Sequence, residues 1–223
     1  MADLVCQMTS VDKSFDGRRV LRDVDLTVAS GEMVAVTGDS GSGKTTLLNI
    51  VGLLERPDRG ELRLFGRPAP AVGSGKATAL LRYKLGYLFQ NFALIDGDSV
   101  DDNLKIAQAY VGGSRASRGQ TRAAALEAVG LADLARRPVY ELSGGEQQRI
   151  SIARLMLKPC DLVLADEPTG SLDAANRDIV LQLLRHLNAE GKSVVVVTHD
   201  PQVAATCHRS ISLPGAHDAG RPQ

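Results

Sequence analysis

Apolar and polar positions follow three regimes along this chain. Near the N-terminus they alternate: Leu4 to Phe15 and Val20 to Val28 read as two half-exposed antiparallel strands around Asp16-Gly17. Leu26 and Val28 fall on one face of the second strand, Asp25 and Thr27 on the other. Short blocks are apolar throughout: Met33-Val34-Ala35-Val36, Leu162-Val163-Leu164-Ala165 and the β-branched run Val194 to Val197, suited to strands covered on both faces. Helical spacing occupies most of the remainder. Helices are predicted over Thr46 to Val51, Lys76 to Lys84, Ala174 to Glu190 and Pro201 to Cys207. Pro57-Asp58-Arg59-Gly60 predicts a turn, Glu61 to Phe65 a short strand and Gly66 to Gly75 a surface loop. Leu85 to Phe89 predicts a strand ending at Gln90, and Arg209 to Leu213 a last strand. From Ser99 to Leu157 alanine, leucine and arginine dominate, with Ser99 as a helix N-cap. Residues 96–158 therefore read as a helical subdomain inserted into an α/β core. One domain over 1–213 is expected, with a frayed tail at 214–223 and no internal repeat.

Composition narrows this only a little. Of the 223 residues, 43% are hydrophobic and 23% charged, which suits an ordinary globular protein. Lys plus Arg and Asp plus Glu number 26 each, so no charge excess argues for nucleic acid as a partner. Cys6, Cys160 and Cys207 have no paired spacing, so buried packing is expected in place of a disulfide framework or zinc site. Met1-Ala2-Asp3-Leu4 lacks the basic and apolar regions of a signal peptide. No apolar run approaches the roughly 20 residues of a membrane-spanning helix, so a cytoplasmic location is expected.

The chemistry begins at Gly38-Asp39-Ser40-Gly41-Ser42-Gly43-Lys44-Thr45, between an apolar strand and a helix. That is the context in which G-x-x-x-x-G-K-[ST] is a phosphate loop. Its N–H groups curl into a nest at a helix N-terminus; Lys44 is set to reach the β- and γ-phosphates, and the Thr45 hydroxyl to ligate Mg²⁺. Four apolar runs end on reactive residues: Val36 at this loop, Phe89 at Gln90, Ala165 at Asp166-Glu167, Thr198 at His199. In a parallel sheet ligands sit at the carboxyl ends of the strands, so these residues should meet around one nucleotide. Asp166 is the expected Mg²⁺ ligand and Glu167 the base that takes a proton from attacking water. Gln90 offers an amide oxygen to water and metal. His199 offers one ring nitrogen to the γ-phosphate while a neighbour holds the other. Taken singly, each is an unremarkable strand-end polar residue; their convergence carries the reading.

A second stretch is Leu142-Ser143-Gly144-Gly145-Glu146-Gln147-Gln148-Arg149. Ser143 and Glu146 predict a capping box opening a helix toward Leu157. Glycines at the first two helical positions weaken a helix by about 1 kcal/mol each. They make sense where an anion must approach the backbone, so the stretch reads as a second phosphate-binding surface.

With these motifs in this order, the chain from Leu4 to Leu213 resembles the ATP-binding subunit of an ABC transporter. Gly38–Thr45 matches Walker A, Leu162–Glu167 Walker B, Gln90 the Q-loop, Leu142–Gln148 the signature, Ser171-Leu172-Asp173 the D-loop and His199 the switch histidine. The resemblance implies an α/β fold: a P-loop NTPase core with a mostly parallel sheet, an N-terminal antiparallel β subdomain and an inserted α-helical subdomain. It implies ATP and Mg²⁺ held by Phe15 (stacked on adenine), Gly38, Asp39, Ser40, Gly41, Ser42, Gly43, Lys44, Thr45 and Thr46. Thr45, Gln90 and Asp166 take the metal, and Glu167, His199 and Gln90 the catalysis. Ser143, Gly144 and Gly145 are implied to bind the γ-phosphate of ATP on the opposite subunit, and Asp173 of the D-loop is implied among the nucleotide-binding residues. A second ATP-binding subunit, expected as a homodimer partner, and a transmembrane permease subunit follow, with the chain peripheral on the inner face of the membrane. The run Asp166 to Asp173 resembles the lipoprotein-release and macrolide-export group, and Gly86 to Ile95 the lactococcin-type bacteriocin exporters. Asp96-Gly97-Asp98 stands where many relatives of the first group carry a proline-containing turn. Export of a peptide, lipoprotein or small amphiphile is the expected function, with cell-division-like regulation of a membrane partner as the alternative. DNA-acting relatives separate the phosphate loop from the signature by long coiled coils, whereas Ser143 comes 98 positions after Thr45. Translation-associated relatives usually carry two cassettes, and this chain has one. A GTPase is disfavoured by the lack of an Asn-Lys-x-Asp motif.

Overall fold

Alternation and continuous burial sort the strands into two sheets. The computed structural model describes residues 3–170 and 172–213. In chain order the elements are β1 (Leu4–Phe15), β2 (Arg18–Ala29), β3 (Met33–Thr37), α1 (Lys44–Val51), β4 (Arg59–Leu64), β5 (Arg67–Pro68), α2 (Gly75–Tyr83) and β6 (Leu85–Leu88). They continue with α3 (Val100–Ala107), α4 (Arg115–Ala128), α5 (Gly144–Leu157), β7 (Leu162–Asp166), α6 (Ala174–Ala189), β8 (Ser193–Val197), α7 (Pro201–Ala204) and β9 (Arg209–Ser212). Two single-turn 3₁₀ helices, Ala132–Leu134 and Val139–Glu141, lie between α4 and α5.

The alternating strands pair antiparallel in the order β2-β1-β4-β5. The apolar blocks form a parallel sheet in the order β6-β7-β8-β3-β9. Successive side chains of these buried strands enter two different cores, because strand side chains alternate between faces. Val34, Val36, Leu164, Val195 and Val197 pack with α1 and the antiparallel sheet, while Val163, Ala165, Val194 and Val196 pack with α3 to α6. Each fully buried valine or leucine contributes on the order of 2 kcal/mol. Both α4 and α3 pack on α5, and α5 packs on α6. The inserted helices thereby reach the strand ends of the parallel sheet. Cys6 and Cys160 are buried and Cys207 half-buried, all three unpaired; burial pushes the Cys6 thiol up to about 12, consistent with a packing role.

Local corrections to the sequence reading have identifiable causes. The expected turn at 57–60 ends early: Arg59 and Gly60 already belong to β4. Gly60, at φ 83°, lies so close to β1 that a Cβ would sit 2.2 Å from the Ser10 carbonyl oxygen, an approach only glycine permits. The expected loop from Gly66 to Gly75 contains the edge strand β5, and its end begins α2, capped by the Ser74 hydroxyl. Proline misled here because it is tolerated on an edge strand. Strand β6 stops at Leu88, and α7 is a single turn ending at Ala204. The expected tail at 214–223 and Ser171 of the D-loop lie outside the described residues.

Candidate functional site

Parallel register brings the ends of β3, β6, β7 and β8 to one edge: Val36 pairs with Val197, Leu88 with Ala165, and Asp166 with Val197. Beyond that edge is a cavity of about 920 Å³ lined by Val20, Gly38, Asp39, Ser40, Gly41, Gly43, Lys44, Thr45, Thr46, Gln90, Glu167, Gly170 and His199. Four strands separated by more than 160 positions thus deliver their terminal residues to one place.

Gly43, at φ 94°, is the N-cap of α1 and offers no capping side chain. A Cβ there would lie 2.7 Å from Leu21 Cδ2 and 2.8 Å from the Val20 carbonyl oxygen. The packing of β2 therefore demands glycine, and the uncapped N–H groups of α1 form an anion site. Lys44, only 8% exposed, donates from Nζ to the Gly38 and Asp39 carbonyls at 2.7 and 2.8 Å, curling the loop around its own cation. Ser42 is buried, and its Oγ has no partner among the described residues.

Thr45 Oγ1 donates to Asp166 Oδ1 at 3.2 Å. Burial raises the Asp166 pKa above the ordinary carboxylate value; the Thr45 hydrogen bond opposes this, Glu167 adds to it and Lys44 opposes it. A buried carboxylate under strain from burial and a like charge is relieved by a cation, so the donor set of hydroxyl, carboxylate and the nearby Gln90 amide fits Mg²⁺. No cluster of three His, Cys, Asp or Glu side chains that could hold a metal by themselves exists among the described residues. This hard cation would complete its shell with phosphate oxygens and water.

Glu167 sits at φ 43° immediately before Pro168, a conformation doubly disfavoured for a residue preceding proline and worth on the order of 1–3 kcal/mol of strain. Its N–H donates to the Val197 carbonyl at 3.0 Å, its carbonyl accepts from Gly170 N–H at 3.1 Å, and its Oε1 lies 2.9 Å from His199 Nδ1. The strained backbone aims the carboxylate across the end of β8. Gln90 follows a stiffened strand end: Tyr87 and Phe89 stack at 4.1 Å, and the Tyr87 hydroxyl donates to Asn49 Oδ1 of α1 at 2.8 Å.

Phe15 is 42% exposed and therefore not part of the core. It borders a hollow of about 430 Å³ with Asp16, Arg18, Arg19, Val20 and Gly41; Val20 and Gly41 also line the main cavity. Lys13 Nζ lies 4.9 Å from its ring centroid.

Ser143, Gly144, Gly145 and Asp173 do not line this cavity. The capping box is complete: Ser143 N–H and Oγ donate to Glu146 Oε2 at 2.8 and 2.7 Å, and Glu146 N–H donates back to Ser143 Oγ. These bonds hold the Glu146 carboxyl below its ordinary range. Gly145 has a reason within the fold: a Cβ would meet the Asn176 side chain at 2.5 Å. Packing thus gives one of the two glycines a reason of its own, beside the expected approach of an anion. Gly144 is different, since its nearest neighbour would be Phe92 Cζ at 3.8 Å and the face beyond is exposed. Asp173 caps α6 through Asn176 N–H and Nδ2–H. Val20 and Gly170 were not among the expected residues; Val20 carries no local signal, being an ordinary strand valine.

A model of the family described as ABC transporter matches residues 21–170. The chain belongs to the ABC transporter family. Among curated relatives of this cassette, the macrolide export ATP-binding/permease protein MacB 1/2 of Paracoccus denitrificans is 45% identical over 195 residues, 87% of this chain and 29% of that protein. MacB of Rhodopseudomonas palustris is 46% identical over 193 residues, 86% of this chain and 30% of that protein. The chain spans less than a third of the length of these relatives. Among solved structures, the ATP-binding cassette MJ0796, dimeric in a post-hydrolysis state bound to ADP and Pi, superposes with a TM-score of 0.85 at 34% identity. That match covers 93% of this chain and 94% of the other. A second dimeric structure of MJ0796, described as a bacterial ABC transporter cassette, gives 0.85 at 36% identity. The expected architecture of the cassette, an α/β ABC ATPase core with parallel and antiparallel sheets, is borne out, and the chain is an ATP-binding cassette of the ABC ATPase type. No helix among the described residues is long and apolar enough to cross a membrane.

Proposed function

We propose that this cassette binds Mg-ATP in the 920 Å³ cavity and hydrolyses it with Glu167 as general base, driving a membrane partner. The observation that carries the reading is the meeting of Lys44, Thr45, Gln90, Asp166, Glu167 and His199 at one edge of the parallel sheet. Lys44 exchanges the Gly38 and Asp39 carbonyls for the β- and γ-phosphates, and the uncapped N–H groups of α1 bind phosphate oxygen beside it. Thr45, Asp166 and Gln90 are the residues that would hold Mg²⁺, whose chemistry is neutralisation of phosphate charge. Glu167 accepts the proton of the attacking water. His199 steadies that carboxylate through Nδ1, leaving Nε2 to face the γ-phosphate. Phe15 presents its exposed ring to adenine.

Ser143, Gly144 and the cap residue Asp173 lie outside the cavity of their own chain, which supports their acting on ATP held by a second copy. MJ0796 is dimeric in the solved structures, and a symmetric pair of this chain would have two sites. The MacB relatives are named as ATP-binding/permease proteins for macrolide export. A transmembrane permease partner, a position on the inner face of the membrane, and export of a peptide, lipoprotein or macrolide-like amphiphile are our extension of that likeness. Residues 1–213 would act as one ATP-binding domain with 96–158 as its inserted helical part.

The test joins two measurements. Native pull-down from detergent-solubilised membranes should bring down a multi-spanning protein in stoichiometric amount. Glu167→Gln should bind ATP, accumulate as a dimer and lose turnover. Recovery only with soluble components would remove the transport reading, and wild-type hydrolysis by Glu167→Gln would remove the base.

A further inference from the structure

Helix α5 does more than present its N-terminus. Along one of its faces, Gln148, Ser151 and Arg154 follow at three-residue spacing, and each donates to a backbone carbonyl in a turn leaving the parallel sheet. Ser151 Oγ donates to the Phe92 carbonyl at 2.9 Å, and Arg154 donates to the Phe92 and Ala93 carbonyls, just past Gln90. Gln148 Nε2 donates to the Pro168 carbonyl at 2.7 Å, just past Glu167. Both turns contain residues in the left-handed region: Phe92 and Ala93 in one, Glu167 in the other. Such backbone persists only where surrounding bonds over-determine it.

Gln148 is 1% exposed. Its amide orientation follows from chemistry, since a carbonyl only accepts and the nitrogen must face Pro168. Its Oε1 is then left buried with no partner among the described residues. An amide placed so that half of it is unsatisfied is retained for what the other half holds. Glu167 is pinned by its N–H to Val197, by its carbonyl to Gly170 and by its side chain to His199; the following carbonyl has Gln148.

We propose that Gln148 is a positioning residue for hydrolysis: by holding the Pro168 carbonyl it keeps the Glu167–Pro168 turn left-handed and the Glu167 carboxylate against His199. It rests on the reading of Glu167 as the base. The bond lies on the second turn of α5, directly below the capped Ser143-Gly144-Gly145 terminus. Displacement of that terminus is therefore felt at Glu167 of the same chain through one hydrogen bond.

The experiment substitutes Gln148→Met, which keeps volume and removes the donor. The expected result is a fall in kcat of about tenfold or more, the loss of one strong buried hydrogen bond at the reacting geometry, with KM for ATP within about twofold. In a Glu167→Gln background the same change should have no further effect on kcat, because the group it positions is gone. Without nucleotide, the ring-nitrogen NMR signals of His199, identified by their loss in His199→Gln, should shift in Gln148→Met. Gln148→Glu, which sets an acceptor against the carbonyl, should give the same pattern and serves if Gln148→Met does not fold. Wild-type kcat in both variants, an equal loss in the Glu167→Gln background, or unmoved His199 signals would overturn the proposal. Wild-type turnover by Glu167→Gln alone is a different failure, that of the base assignment.

Discussion

Two helix N-termini in this molecule carry glycines beside candidate phosphate donors, and they are built for different circumstances. At α1, the loop wraps a buried lysine, the glycine at the cap is forced by β2, and the N–H groups face the cavity at the sheet edge. At α5, a serine–glutamate box already satisfies the N–H groups of Ser143 and Glu146, one glycine packs against Asn176, and only Gly144 faces open space. The first is a complete receptacle within one chain. The second is a surface that acquires a ligand only from outside, which is the physical content of the proposal that two copies close on ATP.

The sharpest way to break this contrast is Lys44→Ala. It removes the buried cation from the first terminus and should lower ATP turnover by about 100-fold or more, the scale for losing one preorganised charge donor. An ATPase assay with nucleotide-binding fluorescence reads it. Next is Gly43→Ala: a left-handed backbone and contacts below 3 Å should destabilise the fold by on the order of 2 kcal/mol or more, seen in urea unfolding. Gly144→Ala should be neutral or stabilising by up to about 1 kcal/mol, yet depress hydrolysis. An unchanged rate would deny the second terminus its ligand. Gly145→Ala should destabilise by about 1 kcal/mol through the Asn176 clash, in proportion to packing and not to ligand.

The smallest effect concerns pH. Hydrogen bonds from Ser143 depress the Glu146 pKa. Its stabilising contribution is therefore present above the unfolded value of about 4.3 and lost as pH falls through the folded one. Asp166, shifted upward by burial, has the opposite sign: protonation in acid relieves its penalty. Comparing thermal unfolding of wild type and Glu146→Gln from neutral pH to below 4 isolates the first, and the gap should close as pH falls.

By itself the sequence determined the pieces whose chemistry is local. Alternation identified β1 and β2, continuous apolar runs identified β7 and β8, and Ser-x-x-Glu identified the start of α5, because period and capping are properties of a few neighbouring residues. The phosphate loop was legible for the same reason, and strand-end logic anticipated that Gln90, Asp166, Glu167 and His199 would meet. Tertiary structure alone decided the rest. Gly60 and Gly145 are glycines because β1 and Asn176 approach them from 50 and 31 positions away. Val20 lines the cavity because β2 packs over the loop. The hold of Gln148 on Pro168 joins residues 20 apart, on elements whose proximity no local pattern encodes. Close approach and cross-element hydrogen bonds depend on where whole elements pack, and packing is settled by the summed burial of the two cores on either side of the parallel sheet.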